Sequence, residues 1–298
     1  MPRRSAYLAA LIAIALWSVL AYLGSRLSSL PPLFLTGIAL TIGGLLGLPR
    51  LPAWKVPLKT WSVGVAGLFG YHLLLFTALR LAPPVEANLI NYLWPLLIVL
   101  LSPLLLRGHE LQVHHVVGAL AGLAGAALVV TGGSFHPELT YLAGYACACG
   151  AALTWSWYSV MTKRLPHFST AAVGGFCLVS GVLALLLYAI MRSPEIPVAP
   201  GGSEWVLLTI LGLGPMGGAF YAWDRALKNG DPRVIGALAY LTPMLSTSVL
   251  VLVGGREFTP VALIAIVLIV GGALIGSRDL FSTVRSAESN RHGFGERH

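Results

Sequence analysis

The sequence predicts an all-α integral membrane protein whose ten transmembrane helices form two inverted five-helix repeats. Three observations lead there. Of its 298 residues 56% are hydrophobic and 10% charged, with a mean hydropathy of +0.80, whereas soluble domains carry about 25% charged residues. Apolar runs of about 20 residues, enough to cross a hydrocarbon core about 30 Å thick, follow one another through short polar links. Residue patterns of the first half recur in order in the second.

The first span, 5–24, follows Arg3 and Arg4 and runs too long for the core of a secretory leader. Pro31-Pro32 opens the second, 31–48, and a link punctuated from Pro49 to Pro57 leads to the third, 61–81. Pro83-Pro84 opens the fourth, 84–106, and Gly108-His109-Glu110 precedes the fifth, 113–132. Pro137 and Pro166 bracket the sixth, 139–163, and the seventh, 168–191, ends before the Pro194 to Pro200 link. The eighth is 204–228, the ninth, 231–253, begins at Pro232, and the tenth, 259–277, begins at Pro260. Residues 1–132 are thus one repeat and 133–281 the other, while 282–298 is polar, lacks a hydrophobic period and is read as a cytoplasmic tail.

Charge placement orients the chain. With the N-terminus inside, fifteen of the nineteen Lys and Arg residues fall on the cytoplasmic side, leaving Arg26, Arg80, Arg192 and Arg256 opposite. The positive-inside rule then puts both termini in the cytoplasm of a multi-pass inner-membrane protein. The net charge of +8 belongs to this topology, since no basic stripe interleaved with aromatic residues marks a nucleic-acid surface. Cys147, Cys149 and Cys177 lie inside apolar runs and read as packing residues.

The internal repeat is specific in places. Tyr92-Leu93 followed by Pro95 recurs as Tyr240-Leu241 followed by Pro243, Gly108-His109-Glu110 recurs as Gly255-Arg256-Glu257, and Trp17-Ser18 recurs as Trp155-Ser156. Five spans per repeat is an odd number, so the second copy enters the membrane from the opposite face. Inverted repeats of this kind build secondary transporters, whose substrate sites lie at the repeat interface.

With these residues in view, the chain resembles the drug/metabolite transporter superfamily in its EamA-type branch, through Asn91-Tyr92-Leu93-Trp94-Pro95 and the Gly-x-Glu before spans five and ten. Trp155-Ser156-Trp157-Tyr158, Tyr221-Ala222-Trp223-Asp224 and Ala239-Tyr240-Leu241-Thr242-Pro243 make it most similar to the YddG-type aromatic amino acid exporters. The resemblance implies the substrate class, aromatic and other amphipathic amino acids with related cationic toxic compounds, and the outward direction of alternating-access transport.

Polar and aromatic residues at helical spacing mark faces that meet something other than lipid. They fall on spans 1, 3, 4, 6, 8 and 9, a set closed under the repeat. The candidate substrate-binding residues are Trp17, Tyr71, His72, Asn88, Asn91, Tyr92, Trp94, Trp155, Tyr158, Tyr221 and Tyr240, expected to line a water-accessible, nearly uncharged vestibule. Phe220, Asp224 and Thr154 share those faces, and Trp157 is expected inside as well; Trp54, Trp61 and Trp205 read as interfacial belt residues. Helix packing is the competing reading for each stripe. Aromatic walls suit planar or apolar side chains, and a cation over a ring gains about 0.5–2 kcal/mol.

Pro95 and Pro243 lack an N–H and clash with the carbonyl four residues back, which frees the Asn91 and Ala239 carbonyls and makes both prolines candidate hinges. A structural bend is the alternative. Glu86 near Arg80, and Asp224 beside Arg225 and Lys228, read as interfacial pairs. His109, His114 and His115 near Glu110 are read as a solvated loop without metal-binding spacing, so neither metal nor cofactor is expected. The Gly118-x-x-x-Gly122 and Gly272-x-x-x-Gly276 faces join helices either within one chain or between two, which leaves the oligomeric state open. Partners reduce to a small amphipathic substrate and membrane lipid. Two rivals remain. A nucleotide-sugar carrier needs cations at mid-membrane, and an intramembrane enzyme needs a metal triad, paired carboxylates or a nucleophile with its base.

Overall fold

Proline and glycine punctuation sets the helix boundaries. The computed structural model describes residues 2–191, 199–253 and 260–279, and helix with short links accounts for them; no strand occurs among the described residues. Its helices are α1 (Pro2–Ser18), α2 (Leu20–Arg26), α3 (Pro32–Leu45), α4 (Leu58–Val65), α5 (Tyr71–Leu81), α6 (Pro84–Asn91), α7 (Trp94–Leu105) and α8 (Val113–Thr131). The second half supplies α9 (Leu142–Arg164), α10 (Ala172–Met191), α11 (Gly202–Leu213), α12 (Ala219–Asn229), α13 (Pro232–Ala239), α14 (Leu241–Leu252) and α15 (Pro260–Gly276). Pro32, Pro84, Pro232 and Pro260 open their helices, where a missing N–H costs nothing. Gly132, at φ +61°, closes α8 in the left-handed conformation that favours glycine. The tail 282–298, Gly255-Arg256-Glu257 and Arg192 lie outside the described residues.

Among the described residues six helical stretches are long and apolar enough to cross a membrane: Arg4–Arg26, Leu58–Leu81, Pro84–Leu105, Val113–Thr131, Ala172–Met191 and Gly202–Asn229. Pro32–Leu45 continues into Leu48–Trp54 through an 86° bend.

One run of elements recurs along the chain. A single π-helical turn interrupts each of two long stretches, Ala66–Gly70 between α4 and α5 and Gly214–Gly218 between α11 and α12, 148 residues apart. The same offset carries α5 onto α12 and α6 onto α13. Packing follows suit, since α1 lies against α12 as α5 lies against α9, while α3 pairs with α10 and α8 with α15.

Those last two pairs rest on small residues. A Cβ on Gly118 would stand 2.5 Å from the Gly276 nitrogen, and one on Gly272 would stand 2.6 Å from the Gly118 carbonyl, so both glycine motifs join helices within this chain. Gly44 and Gly174 bring α3 and α10 together in the same way. Cys177 is buried, Cys147 half-buried and Cys149 exposed, all as free thiols.

Candidate functional site

At the meeting of α1, α7, α9 and α12 the expected vestibule is filled by its own rings. The Trp17 ring lies 5.8 Å from Trp155, 6.1 Å from Trp94 and 5.1 Å from Trp223. Trp155 in turn lies 5.5 Å from Phe220 and 5.5 Å from Tyr158. Most of these contacts are edge-on or tilted, the arrangement ring quadrupoles favour. Only 6% of Trp94, 3% of Trp155 and 1% of Trp223 is exposed, so the rings form a closed plug where an open, water-accessible space was expected.

Polar groups fix this plug to the backbone. Trp17 Nε1–H donates to the Pro215 carbonyl at 3.1 Å, inside the second π-helical turn, and Trp223 Nε1–H donates to Ser159 Oγ at 3.0 Å. Ser156 donates to the Trp94 carbonyl and to that of Ala152. The first π-helical turn works on the other side, where Gly67 leaves room for the Tyr158 ring and the Leu68 carbonyl takes the His72 Nδ1–H at 2.7 Å. Tyr71 lies 5.3 Å from Trp155, and its hydroxyl accepts from Asn91 Nδ2 at 3.4 Å. Asn91 Oδ1 is buried and has no hydrogen-bond partner among the described residues, which leaves one acceptor beside the rings. Tyr92 follows Asn91 directly in the chain and is half-buried.

Trp17, Tyr71, His72, Asn91, Tyr92, Trp94, Trp155 and Tyr158 are therefore neighbours. Asn88, one turn before Tyr92, is half-buried and makes no side-chain hydrogen bond among the described residues. Tyr221 points elsewhere, its hydroxyl between Gly47 and Gly174 and 3.4 Å from the Gly43 carbonyl. Tyr240 lies in a separate apolar cluster with Val99, Ala119 and Ile269, where its hydroxyl receives the Leu96 N–H at 3.2 Å. Phe220, which shares the candidate faces by its spacing, belongs to the plug, and so does Trp223, which the sequence reading did not single out as a site residue. The repeat held a signal for Phe220, because the 148 offset maps His72 onto it.

Both prolines stand just beyond a helix break. α6 ends at Asn91 and α13 at Ala239, each four residues before its proline, as loss of that turn's hydrogen bond requires. The Leu96 N–H beyond the first break is the group that Tyr240 satisfies.

Several secondary expectations change. Thr154 and Trp157 turn to the flank, with 37% of Trp157 exposed, because α9 already commits its inner face to Trp155, Ser156, Tyr158 and Ser159. Trp54 and Trp61 pack around Gly175, with Trp54 Nε1–H donating to the Ala171 carbonyl at 2.9 Å; Trp205 is exposed. No ion pair joins Glu86 to Arg80 among the described residues. Asp224 is buried, and its partners are Lys228 at 2.7 Å and the Thr170 hydroxyl at 2.6 Å, with Arg225 exposed on another side of the helix. Lys228 also sits 3.3 Å above the Phe168 ring.

His114 and His115 sit in the first turn of α8 rather than in a loop, and both reach Asp279, at 3.0 and 3.1 Å. The three could face a cation by distance alone. However, the Gln112 N–H donates to His115 Nδ1, which leaves the proton on Nε2 and directs it to Asp279 as a hydrogen bond rather than offering a metal a lone pair.

Comparison with known proteins gives the family: the EamA-like transporter family matches twice, at residues 4–131 and 142–278, and the chain belongs to it. The aromatic amino acid exporter YddG of Ancylobacter novellus is 44% identical over 288 residues, spanning 93% of this chain and 98% of that one. YddG of Escherichia coli is 27% identical, spanning 83% and 88%. A probable terminal-alkyne amino-acid exporter of Streptantibioticus cattleyicolor is 27% identical, spanning 88% and 86%. A solved crystal structure with 43% identity superposes with a TM-score of 0.87, covering 92% of this chain and 96% of that one.

Proposed function

We propose that the protein exports aromatic and other amphipathic amino acids, with related cationic toxic compounds, across the inner membrane by alternating access, both termini being cytoplasmic. The reading carries ten crossings as two inverted repeats, 1–132 and 133–281, and no cofactor or metal. One observation bears most of it: Trp17 of α1 and Trp94 of α7, from the first half, interlock with Trp155 of α9 and Trp223 of α12, from the second, so parting the halves opens a ring-walled path between them. The two family matches and the matched π-helical turns support the repeat, and the exporters among the relatives support the substrate class.

In this reading the closed plug is the sealed state of the path. A substrate ring replaces ring–ring contacts as the halves rock about the breaks before Pro95 and Pro243. Its polar end meets Asn91 Oδ1, the acceptor left unpaired. The test is flux of labelled phenylalanine, threonine, methionine and a nucleotide sugar in proteoliposomes, with and without a pH gradient. Transport of the three amino acids, strongest for phenylalanine, is expected. Transport of the nucleotide sugar alone, or of none, defeats the proposal.

A further inference from the structure

Helix packing is not symmetric under the proposed repeat, in which α1 corresponds to α9, α5 to α12, α6 to α13, α7 to α14 and α8 to α15. Some pairs come in matched twos: α1 lies against α12 as α9 lies against α5, and α13 lies against α15 as α6 lies against α8. Three pairings around the helix breaks lack a match among the described residues. α13 rests on α7 and on α8, and α14 rests on α8, but α6 is not packed in this way on α14 or α15, nor α7 on α15. The broken span of the second half is therefore closed onto the first half, while that of the first half stands off from its counterpart surface.

The closed contact is apolar and tight. A Cβ on Gly236 of α13 would stand 2.9 Å from the Pro95 carbonyl oxygen, 3.1 Å from Val99 Cγ2 and 3.4 Å from Ile98 Cγ2, and both branched side chains are fully buried. Tyr240 completes it by receiving the Leu96 N–H. The offset that aligns Tyr92 with Tyr240 sets Asn88 in the place of Gly236, Ser246 and Thr247 in the places of Ile98 and Val99, and Met244 in that of Leu96. These counterparts are polar where the seal is apolar. Asn88, Ser246 and Thr247 are half-buried, and neither they nor the Tyr92 hydroxyl make a side-chain hydrogen bond among the described residues. An amide with two N–H donors on one helix thus matches two free hydroxyls and the Pro243 carbonyl on the other.

Two inverted copies that give alternating access exchange their arrangements when the molecule changes state. We propose that in the second state Asn88 docks on α14 against Pro243, Ser246 and Thr247 while the Tyr92 hydroxyl takes the Met244 N–H, closing by hydrogen bonds the gate opposite the apolar Gly236 seal. Asn88 is then a gate residue rather than a substrate contact. The inference rests on the alternating-access reading but not on which cargo is carried.

The test is an intramolecular disulfide between Asn88→Cys and Thr247→Cys, made in the full chain without its native thiols and reconstituted in liposomes. Both positions lack a partner to lose, and the bond requires Cα atoms about 4.4–6.8 Å apart, an approach that the helices do not make in this structure. Mild oxidation is expected to form the disulfide and arrest phenylalanine flux, and a reductant to restore it. Absence of the disulfide, or full flux through the oxidised protein, overturns the gate. A disulfide formed in a protein that carries no amino acid upholds the gate and defeats the substrate reading instead. As a second variant, Asn88→Ala should slow phenylalanine flux about two- to tenfold for each hydrogen bond lost. Its affinity for phenylalanine in detergent should stay the same or rise, because the state seen here gains population. Unchanged flux overturns the proposal, and so does a several-fold loss of affinity, which would make Asn88 a substrate contact.

Discussion

Two single residues separate packing from pathway. Tyr240 contributes a hydroxyl that satisfies the Leu96 N–H at the broken span, in an apolar cluster separate from the ring plug. Tyr240→Phe leaves that buried N–H unpaired at a cost of about 1–3 kcal/mol, so a lower thermal midpoint in detergent with unchanged substrate preference is expected. An altered preference at unchanged stability would move Tyr240 into the pathway. Asp224 presents the opposite case, a buried carboxylate whose neutralisation strands the Lys228 ammonium. Breaking a buried pair costs about 3–5 kcal/mol; Lys228 keeps the Phe168 carbonyl and ring, so Asp224→Asn should fall at the lower end, measured as loss of folded protein on heating. Trp155→Phe, which keeps an apolar ring in the plug, is expected to preserve folding while slowing phenylalanine flux. Unchanged flux would count against Trp155 as a pathway wall.

At the scale of helices, glycine contacts decide which pairs slide and which are locked. A Cβ on Gly118 would stand 2.6 Å from the Gly272 carbonyl oxygen and 2.5 Å from the Gly276 nitrogen, with no flexible side chain to yield. Gly118→Val should cost at least about 1–3 kcal/mol through overpacking, whereas Gly271→Ala, which has nothing within 4 Å, should be neutral or slightly stabilising. Comparing their midpoints checks the pairing of α8 with α15. These glycine motifs were visible in the sequence, but their partners were not, because spacing marks a small face without saying which helix meets it. The helix breaks were legible to the residue, since proline dictates which turn loses its bond. Tyr221 was not, because its hydroxyl goes to helices that its own periodicity does not reveal. Nor was the closed plug: aromatic spacing shows that rings share a face, and only packing decides whether they meet one another or water.

For the whole molecule, the question is how many helices cross. Among the described residues six stretches satisfy length and hydropathy together, or seven if the bent pair Pro32–Leu45 and Leu48–Trp54 is one span, and α9 falls outside that set although its 23 residues extend about 35 Å, more than a bilayer core of about 30 Å. Its low hydropathy has a local cause. Trp155, Ser156, Tyr158 and Ser159 are turned inward and buried, so the polarity faces the bundle while Leu153 and Trp157 face out. α9 should therefore cross, and the same holds for α13 with α14, where the break at Tyr240 divides one apolar run. Single cysteines at Ser134, His167, Gly201 and Asn229, exposed positions flanking α9 and the α11–α12 stretch, test this in a background lacking the native thiols. A membrane-impermeant maleimide added outside intact cells should label Ser134→Cys and Gly201→Cys, while His167→Cys and Asn229→Cys should react only after permeabilisation. Labelling of positions 134 and 167 from the same side would leave α9 on the membrane surface, reduce the second repeat to an even number of crossings, and remove the inversion on which alternating access rests.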